Sequence, residues 1–220
     1  MFSPEVIDMI LKGIGETLYM TLGSSFLGYL FGLPMGILLT ISAKDGLKPN
    51  GVLYKILDVI ANIVRSIPFL ILLILVIPLS RVLVGKGYGP NAAIVSLTLA
   101  AIPFIARMVE SSLKEVDEGV IEAARSMGAG TFTIIWKVLL VEARTSLIVN
   151  ATIALGTILG YTAMAGALGA GGLGDIAVRY GYHRYDPPIL IVTVVLLVVL
   201  FQLFQSAGMT LAKKVDKRKA

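Results

Sequence analysis

Few residues of this chain carry side chains that could do covalent or metal chemistry. The 220-residue sequence contains no cysteine and a single histidine, His183. Thiolate nucleophiles, disulfides and zinc sites of the finger type are therefore excluded, and a lone histidine is a poor basis for a metal site. Lysines and serines occur, but no apolar segment pairs them at the depth that a membrane enzyme would need. We expect no catalytic residue, no metal and no cofactor bound by the chain itself.

Five glycines cluster within residues 165–175, which raises the possibility of a phosphate-binding loop. A Walker loop needs Lys followed by Ser or Thr directly after G-x-x-x-x-G, because these side chains contact the phosphates and Mg²⁺. No such pair follows this cluster, so we predict no nucleotide site. If the protein performs work, the energy for it must come from a partner or from a gradient. An aromatic and basic group follows, consisting of Arg179, Tyr180, Tyr182, His183, Arg184 and Tyr185. It suits protein docking or closure of a gate, and equally an aromatic belt at a membrane interface.

Residues 110–144 contain a second segment with functional potential, an amphipathic helix. Apolar residues recur there at helical spacing, with charged residues beside them; they are Val116, Val120, Ile121, Ala124 and Met127. Asp117 is predicted to cap this helix, Gly128 to take a left-handed conformation at its end, and Thr131 to cap the next helix. The flanking charges are of mixed sign, which favours a protein groove over an anionic lipid surface as the binding partner.

The composition indicates the elements that must position these segments. Hydrophobic residues make up 56% of the chain and charged residues only 15%, which is typical of membrane proteins. Spans of roughly 20 apolar residues are expected at about 17–43, 60–80, 91–109, 145–166 and 187–212. Unpaired backbone groups are not tolerated in hydrocarbon, so these spans should be helices. We predict an all-α integral membrane protein, with residues 1–220 forming one domain and residues 110–144 forming a loop.

The distribution of basic residues predicts the orientation. Lys and Arg collect on the cytoplasmic side of membrane proteins, and with the N-terminus outside, 14 of the 19 lie inside. This asymmetry accounts for the net charge of +5, so the charge need not indicate binding to nucleic acid. The start lacks a basic region followed by a cleavage site, so a cleaved signal peptide is not expected. Instead, Ser3 is predicted to cap a short amphipathic lead-in helix that has Pro4 as its first residue and lies at the outer surface.

The centres of the predicted spans lack ionisable residues, which argues against a proton-coupled carrier. Asp58, Arg65, Arg107 and Glu110 fall near the cytoplasmic ends, where we expect their charged groups to reach water. The serines and threonines of the spans should bond a neighbouring helix or their own preceding turn. The glycines of the first span, Gly23, Gly28, Gly32 and Gly36, should allow close helix packing.

One motif makes the family recognisable. Glu122-Ala123-Ala124, Gly128, Val138 and Leu140 keep the spacing of the E-A-A, G, I-x-L-P motif of permease subunits in binding-protein-dependent ABC importers. Val138 replaces the usual Ile, and Val141 stands where the family has Pro. Residues 16–39, 65–73 and 166–182 look like the corresponding segments of the methionine-importer permeases, which are small five-helix members of the type I class.

The resemblance implies a set of partners and roles. It implies a homodimer of permease chains in the bacterial cytoplasmic membrane, two ATPase subunits that hold ATP and Mg²⁺, an extracellular or periplasmic solute-binding protein, and surrounding lipid. It also implies that residues 118–128 form a coupling helix that docks in a groove of the ATPase. The implied coupling residues are Glu118, Ile121, Glu122, Ala123, Ala124, Met127 and Gly128. The outer gate or binding-protein contact is expected at Gly171, Gly172, Asp175, Arg179 and Tyr182.

The expected function is import of D- or L-methionine by alternating access, with ATP hydrolysed on the partner. Permeases for another amino acid or small solute are the nearest alternative. A gradient-driven carrier, a membrane enzyme and a structural assembly subunit are the others. The sequence does not indicate which residues line the substrate path.

Overall fold

The computed structural model describes residues 2–216, which form helices and connecting turns with no strand in that range. The helices are α1 (Pro4–Ser42), α2 (Gly51–Ser66), α3 (Phe69–Val84), α4 (Pro90–Lys114), α5 (Glu118–Ser126), α6 (Thr131–Ile134), α7 (Leu140–Glu142), α8 (Arg144–Gly166), α9 (Gly172–Ile176) and α10 (Pro187–Val215). Two π-helical turns, Ile135–Leu139 and Ala177–Tyr182, join α6 to α7 and follow α9. The all-α prediction is confirmed. The predicted cytoplasmic cations Lys217, Arg218 and Lys219 lie outside the described residues.

Within residues 2–216, helices α1, α4, α8 and α10 are long and apolar enough to cross a membrane, and the pair α2 and α3 is a fifth candidate. The prediction of one continuous helix at 60–80 is wrong. Helix α2 ends at Ser66, α3 begins at Phe69, and the pair is bent by 108° at the break. The cause is Pro68, which has no N–H to donate and disfavours the helical conformation of the residue before it.

The start of the chain also differs from the prediction. Ser3 caps the first helix as expected, since its Oγ accepts a hydrogen bond from the Val6 N–H at 3.4 Å, and Pro4 is the first helical residue. A separate lead-in helix is wrong, however, because α1 continues without a break to Ser42. Gly13 and Gly15 are the weakest helix formers in this stretch, and each costs only about 1 kcal/mol relative to alanine.

Internal contacts divide the chain into two compact units, the first of which comprises the described part of residues 1–27 together with 67–101 and 155–205. Its hydrophobic core includes Met20, Leu73 and Leu97. At the edge of this core, the rings of Phe69 and Tyr161 stack with centroids 4.4 Å apart. This unit contains the glycine-rich segment and the part of α1 that contacts it.

The second unit comprises residues 28–66 and 102–154 and the described part of 206–220. A Cβ added to Gly36 would lie 2.6 Å from both the Ala106 carbonyl oxygen and the Val109 Cβ. The prediction of close helix packing is therefore confirmed at this glycine. Asn150 joins α8 to α4 by donating from Nδ2 to the Ser112 Oγ, at 2.7 Å.

Hydroxyl groups within the long helices bond mostly to their own preceding turn, which is one of the two predicted alternatives. The prediction is wrong for Ser25 and Thr98, whose buried hydroxyls have no hydrogen-bond partner among the described residues. Thr21 donates to the Thr17 carbonyl at 2.8 Å, Thr40 to the Gly36 carbonyl at 2.9 Å, and Thr152 to the Ile148 carbonyl at 2.9 Å. These bonds satisfy the hydroxyls without a partner on another helix.

Candidate functional site

Helix α5 begins and ends where the sequence predicts. The Asp117 Oδ1 accepts a hydrogen bond from the Gly119 N–H at 2.7 Å, which is the bond of an N-capping residue. At the other end, the Gly128 N–H donates to the Arg125 carbonyl at 2.9 Å. Gly128 has a φ of +82°, a left-handed conformation in which glycine avoids the strain that other residues meet. Both the cap and the terminal turn are confirmed.

The segment after α5 differs in one detail. Thr131 does not cap α6 but is its first residue, and Gly130 occupies the cap position without a side-chain bond. The reason is that the Ile134 N–H bonds the Gly130 carbonyl, at 3.0 Å, so the helix starts one residue earlier than a threonine cap requires. Val141, where the family motif has proline, lies inside α7. The Leu147 N–H then bonds the Ala143 carbonyl at 2.8 Å, which connects this region to α8.

Most side chains of α5 are exposed to solvent, and only those on one face of the helix are covered. Ala124 is buried and Ile121 is half-buried, whereas Glu118, Glu122 and Ala123 are exposed. Met127, which the sequence places in the apolar repeat of this region, is 81% exposed. Val120 (42%), Phe132 (73%) and Trp136 (53%) are further apolar residues at the surface of this region. Because exposed apolar groups of this kind mark binding surfaces, the arrangement is suited to contact with another protein.

Glu122 is available to such a partner. Its side chain is exposed, and within the described residues it has no hydrogen bond or ion pair. Arg125, one turn of helix away, is also exposed. The surface of α5 therefore offers an unpaired carboxylate beside exposed apolar and small side chains.

A cluster of charges secures the end of α4 that leads into α5. The Glu110 carboxylate is only 6% exposed and pairs with Arg107 at 2.7 Å and with Lys114 at 2.9 Å. Arg107 also pairs with Asp58 on α2, and the Tyr54 hydroxyl donates to Glu110 at 3.4 Å. The expectation that Glu110 reaches water is wrong. Its burial is tolerated because two cations and a hydroxyl neutralise and bond the carboxylate.

The glycine-rich segment brings together four of the five predicted outer residues. Gly171 and Gly172 both have positive φ values, +85° and +77°, and Asp175 pairs with Arg179 at 2.9 Å. All four line a cavity of about 310 Å³. Tyr182 does not line it; 67% of this residue is exposed, and its ring meets that of His183 edge-on at 5.2 Å.

Two residues that sequence reasoning missed contact this segment. The Glu16 Oε2 accepts a hydrogen bond from the Gly172 N–H at 2.7 Å, and the Thr17 Oγ1 accepts one from the Leu173 N–H at 2.9 Å. The only local signal is that Glu16 is the last acid before a long uncharged run. Among the described residues, no group of three or more His, Cys, Asp or Glu side chains is placed to hold a metal ion.

Comparisons with known proteins cover nearly the whole chain. Residues 32–219 match the family model described as binding-protein-dependent transport system inner membrane component. A relative in Vibrio cholerae, named "Probable D-methionine transport system permease protein MetI", is 48% identical over 96% of this chain and 94% of its own length. The Escherichia coli K12 protein named D-methionine transport system permease protein MetI is 49% identical over 74% of this chain and 76% of its own.

Solved structures agree with these relatives. A structure of the MetNI methionine ABC transporter in inward-facing conformations contains a chain that is 47% identical and superposes with a TM-score of 0.96, covering 98% of this chain and all of the other. An amino acid ABC transporter shares the fold, with a TM-score of 0.79 at 19% identity over 96% of this chain and 95% of its own. The whole helical arrangement is thus one that known transporters use.

Proposed function

This chain belongs to the family of binding-protein-dependent transport system inner membrane components, and on that premise we propose that it is the permease subunit of an ATP-driven methionine importer. The similarity to methionine transporter chains over nearly the full length carries the proposal. Residues 1–220 form the single permease domain, with the N-terminus outside and the C-terminus in the cytoplasm of a bacterium. D-methionine appears in the relatives' names; the proposed substrate class is D- or L-methionine.

The cytoplasmic helix α5 is the proposed contact with a separate ATPase subunit. Glu122 supplies an exposed, unpaired carboxylate for a basic group of the ATPase, and Ala123 is exposed and small enough for close approach. Glu118 at the start of the helix and Met127 just after its last residue add exposed surface at the two ends. Ala124 and Ile121 face inward and hold the helix on the permease, and Gly128 makes the turn that ends it. ATP and Mg²⁺ are bound by the ATPase.

Transport then proceeds by alternating access in a complex of two permease chains and two ATPase subunits. ATP closes the ATPase pair and draws the two α5 helices together, so that the substrate path opens outward. Hydrolysis resets the complex to the inward-facing state, whose solved relatives this structure resembles. A ligand biases such an equilibrium only through different affinities for the two states.

On the outer side, a solute-binding protein delivers the substrate. The proposed gate or docking residues are Gly171, Gly172, Asp175, Arg179 and Tyr182. Exposure of Arg179 and Tyr182 supports docking, because aromatic residues and arginine are enriched where proteins bind one another. The positive φ values of the two glycines support a segment whose shape other residue types would not adopt easily.

The gradient-driven alternative is weakened by the charge cluster on α4. A proton-coupled carrier needs an acid that changes its protonation during transport. Among the acids that the structure describes in residues 2–216, Glu110 is the buried one, and it is held by Arg107 and Lys114. These ion pairs fix the carboxylate near the C-terminal end of α4 (Pro90–Lys114), whereas a proton-coupled carrier needs its acid at membrane depth.

The proposal is tested by purifying the chain together with its ATPase and measuring vanadate-sensitive methionine uptake in proteoliposomes. Glu122→Lys reverses the charge at the proposed contact and should abolish uptake or uncouple it from ATP hydrolysis. Glu5→Lys makes the same charge change at an exposed residue of α1 and should transport normally. Equal uptake by the two variants would contradict the role of α5, and lack of copurification with any ATPase would contradict the function.

A further inference from the structure

The glycine-rich segment takes its shape from two side chains of α1. Helix α9 starts after Gly171, which supplies no side-chain cap, so the first N–H groups of the helix need acceptors from elsewhere. Those acceptors are the Glu16 carboxylate and the Thr17 hydroxyl, 156 residues earlier in the chain. The Thr17 hydroxyl donates in turn to the Gly13 carbonyl at 2.9 Å, which fixes its lone pairs toward Leu173.

The two α1 side chains lie so close to Gly171 and Gly172 that a Cβ on either glycine would displace them. A Cβ on Gly171 would lie 2.5 Å from the Glu16 Oε2, and a Cβ on Gly172 would lie 2.7 Å from the Thr17 Oγ1. Both glycines also have positive φ values. Glycine is thus favoured at both positions for two reasons: the α1 side chains leave little room for a Cβ, and the positive φ would strain other residues.

The two contacts differ in their exposure to solvent. Thr17 is 1% exposed and Leu173 is fully buried, so breaking their bond in place leaves a buried donor and acceptor unpaired. The Glu16 side chain is 27% exposed and lies 4.0 Å from Lys12, so its carboxylate has another partner if the segment moves. The Thr17 bond is therefore expected to contribute more to holding the segment.

We propose that Glu16 and Thr17 are positioning residues that latch the glycine-rich segment, residues 169–173, to α1 while the outer side is closed. This inference rests on the proposed function, which assigns the segment to the outer side and this structure to an inward-facing state. Opening outward requires release of both bonds. Weakening the latch should therefore shift the complex toward the outward-open state before any binding protein arrives.

The absence of cysteine from the sequence allows a direct test. Ala170, which is 4% exposed, is replaced by cysteine in the full chain, and its labelling by a membrane-impermeant thiol reagent is timed in the assembled complex. Adding Thr17→Val should raise the labelling rate about threefold to tenfold, as expected for loss of one buried hydrogen bond. Thr17→Ser keeps the hydroxyl and should restore slow labelling. Glu16→Ala should have a smaller effect.

Thr21→Val is the matched control. Thr21 is on the same helix, is fully buried and bonds its own preceding turn at 2.8 Å, but it does not bond the glycine-rich segment. Its substitution should leave labelling unchanged. ATPase activity without binding protein should rise in Thr17→Val and not in Thr21→Val, whereas a merely structural defect would lower it in both.

The outcomes separate this inference from the proposed function. Equal labelling of Thr17→Val and Thr21→Val in a complex that imports methionine would overturn the latch alone. Faster labelling in Thr17→Val, in a complex that shows no ATP-driven uptake even with wild-type latch residues, would support the contact and overturn the transport function.

Discussion

Substitution of Gly128 tests the turn at the end of α5 separately from any side-chain clash. This residue has a φ of +82°, and a Cβ added to it would have no heavy atom within 4 Å. Gly128→Ala therefore adds conformational strain without steric overlap. A left-handed conformation costs a residue with a Cβ about 1–2 kcal/mol, which lowers the population of the native turn roughly 5- to 30-fold relative to alternatives.

The assay is ATP-driven methionine uptake and ATP hydrolysis, measured together in proteoliposomes. We expect Gly128→Ala to lower the uptake per ATP hydrolysed, because α5 no longer holds the orientation needed on the ATPase. Gly128→Asn should be less impaired despite its larger side chain, since asparagine tolerates the left-handed region better. Gly130→Ser is the control: Gly130 has φ −72° and equally open surroundings, and serine is a good capping residue.

Two results would refute this reasoning. If Gly128→Ala couples as well as Gly130→Ser, the left-handed turn is not needed for coupling. If Gly128→Asn is more impaired than Gly128→Ala, size rather than backbone strain decides the outcome.

Three further predictions concern packing, charge and orientation. Gly36→Ala forces a Cβ against the Ala106 carbonyl and should destabilise the chain by about 1–3 kcal/mol, lowering the melting temperature in detergent, whereas Gly160→Ala, with open surroundings, should not. Glu110→Ala leaves Arg107 and Lys114 without their shared carboxylate and should cost about 3–5 kcal/mol; an unchanged melting temperature would show that the cluster is dispensable. A cysteine at Glu5 should react with impermeant reagent from outside intact cells, and the opposite sidedness would overturn the orientation.

The apolar spans could be located from the sequence because hydropathy depends on composition alone. Helices α4, α8 and α10 lie close to the predicted limits. The break at Pro68 was not predicted, since both sides of it are apolar and the length suits one span. The proline itself was visible, but prolines also lie inside α3 and α4 at Pro78 and Pro103, so proline alone does not identify a break.

The local features of α5 were predictable for a different reason. Asp117 and Gly128 act on their own backbone neighbourhood, so their roles follow from residue type and spacing. The exposure of Met127 could not be predicted from the sequence, because helical periodicity shows which residues share a face but not whether that face is covered. The roles of Glu16 and Glu110 depend on contacts across the fold, and a single sequence carries little trace of such contacts.

The central claim is that ATP hydrolysed by a partner, rather than an ion gradient, drives methionine through this chain. The direct measurement is uptake of labelled methionine by proteoliposomes that contain the permease and ATPase, with binding protein outside, ATP inside, and an uncoupler that collapses the proton gradient. The account predicts that uptake continues with the uncoupler and stops when ATP is replaced by a non-hydrolysable analogue. Uptake that stops with the uncoupler while ATP remains, or that continues without hydrolysable ATP, would contradict it.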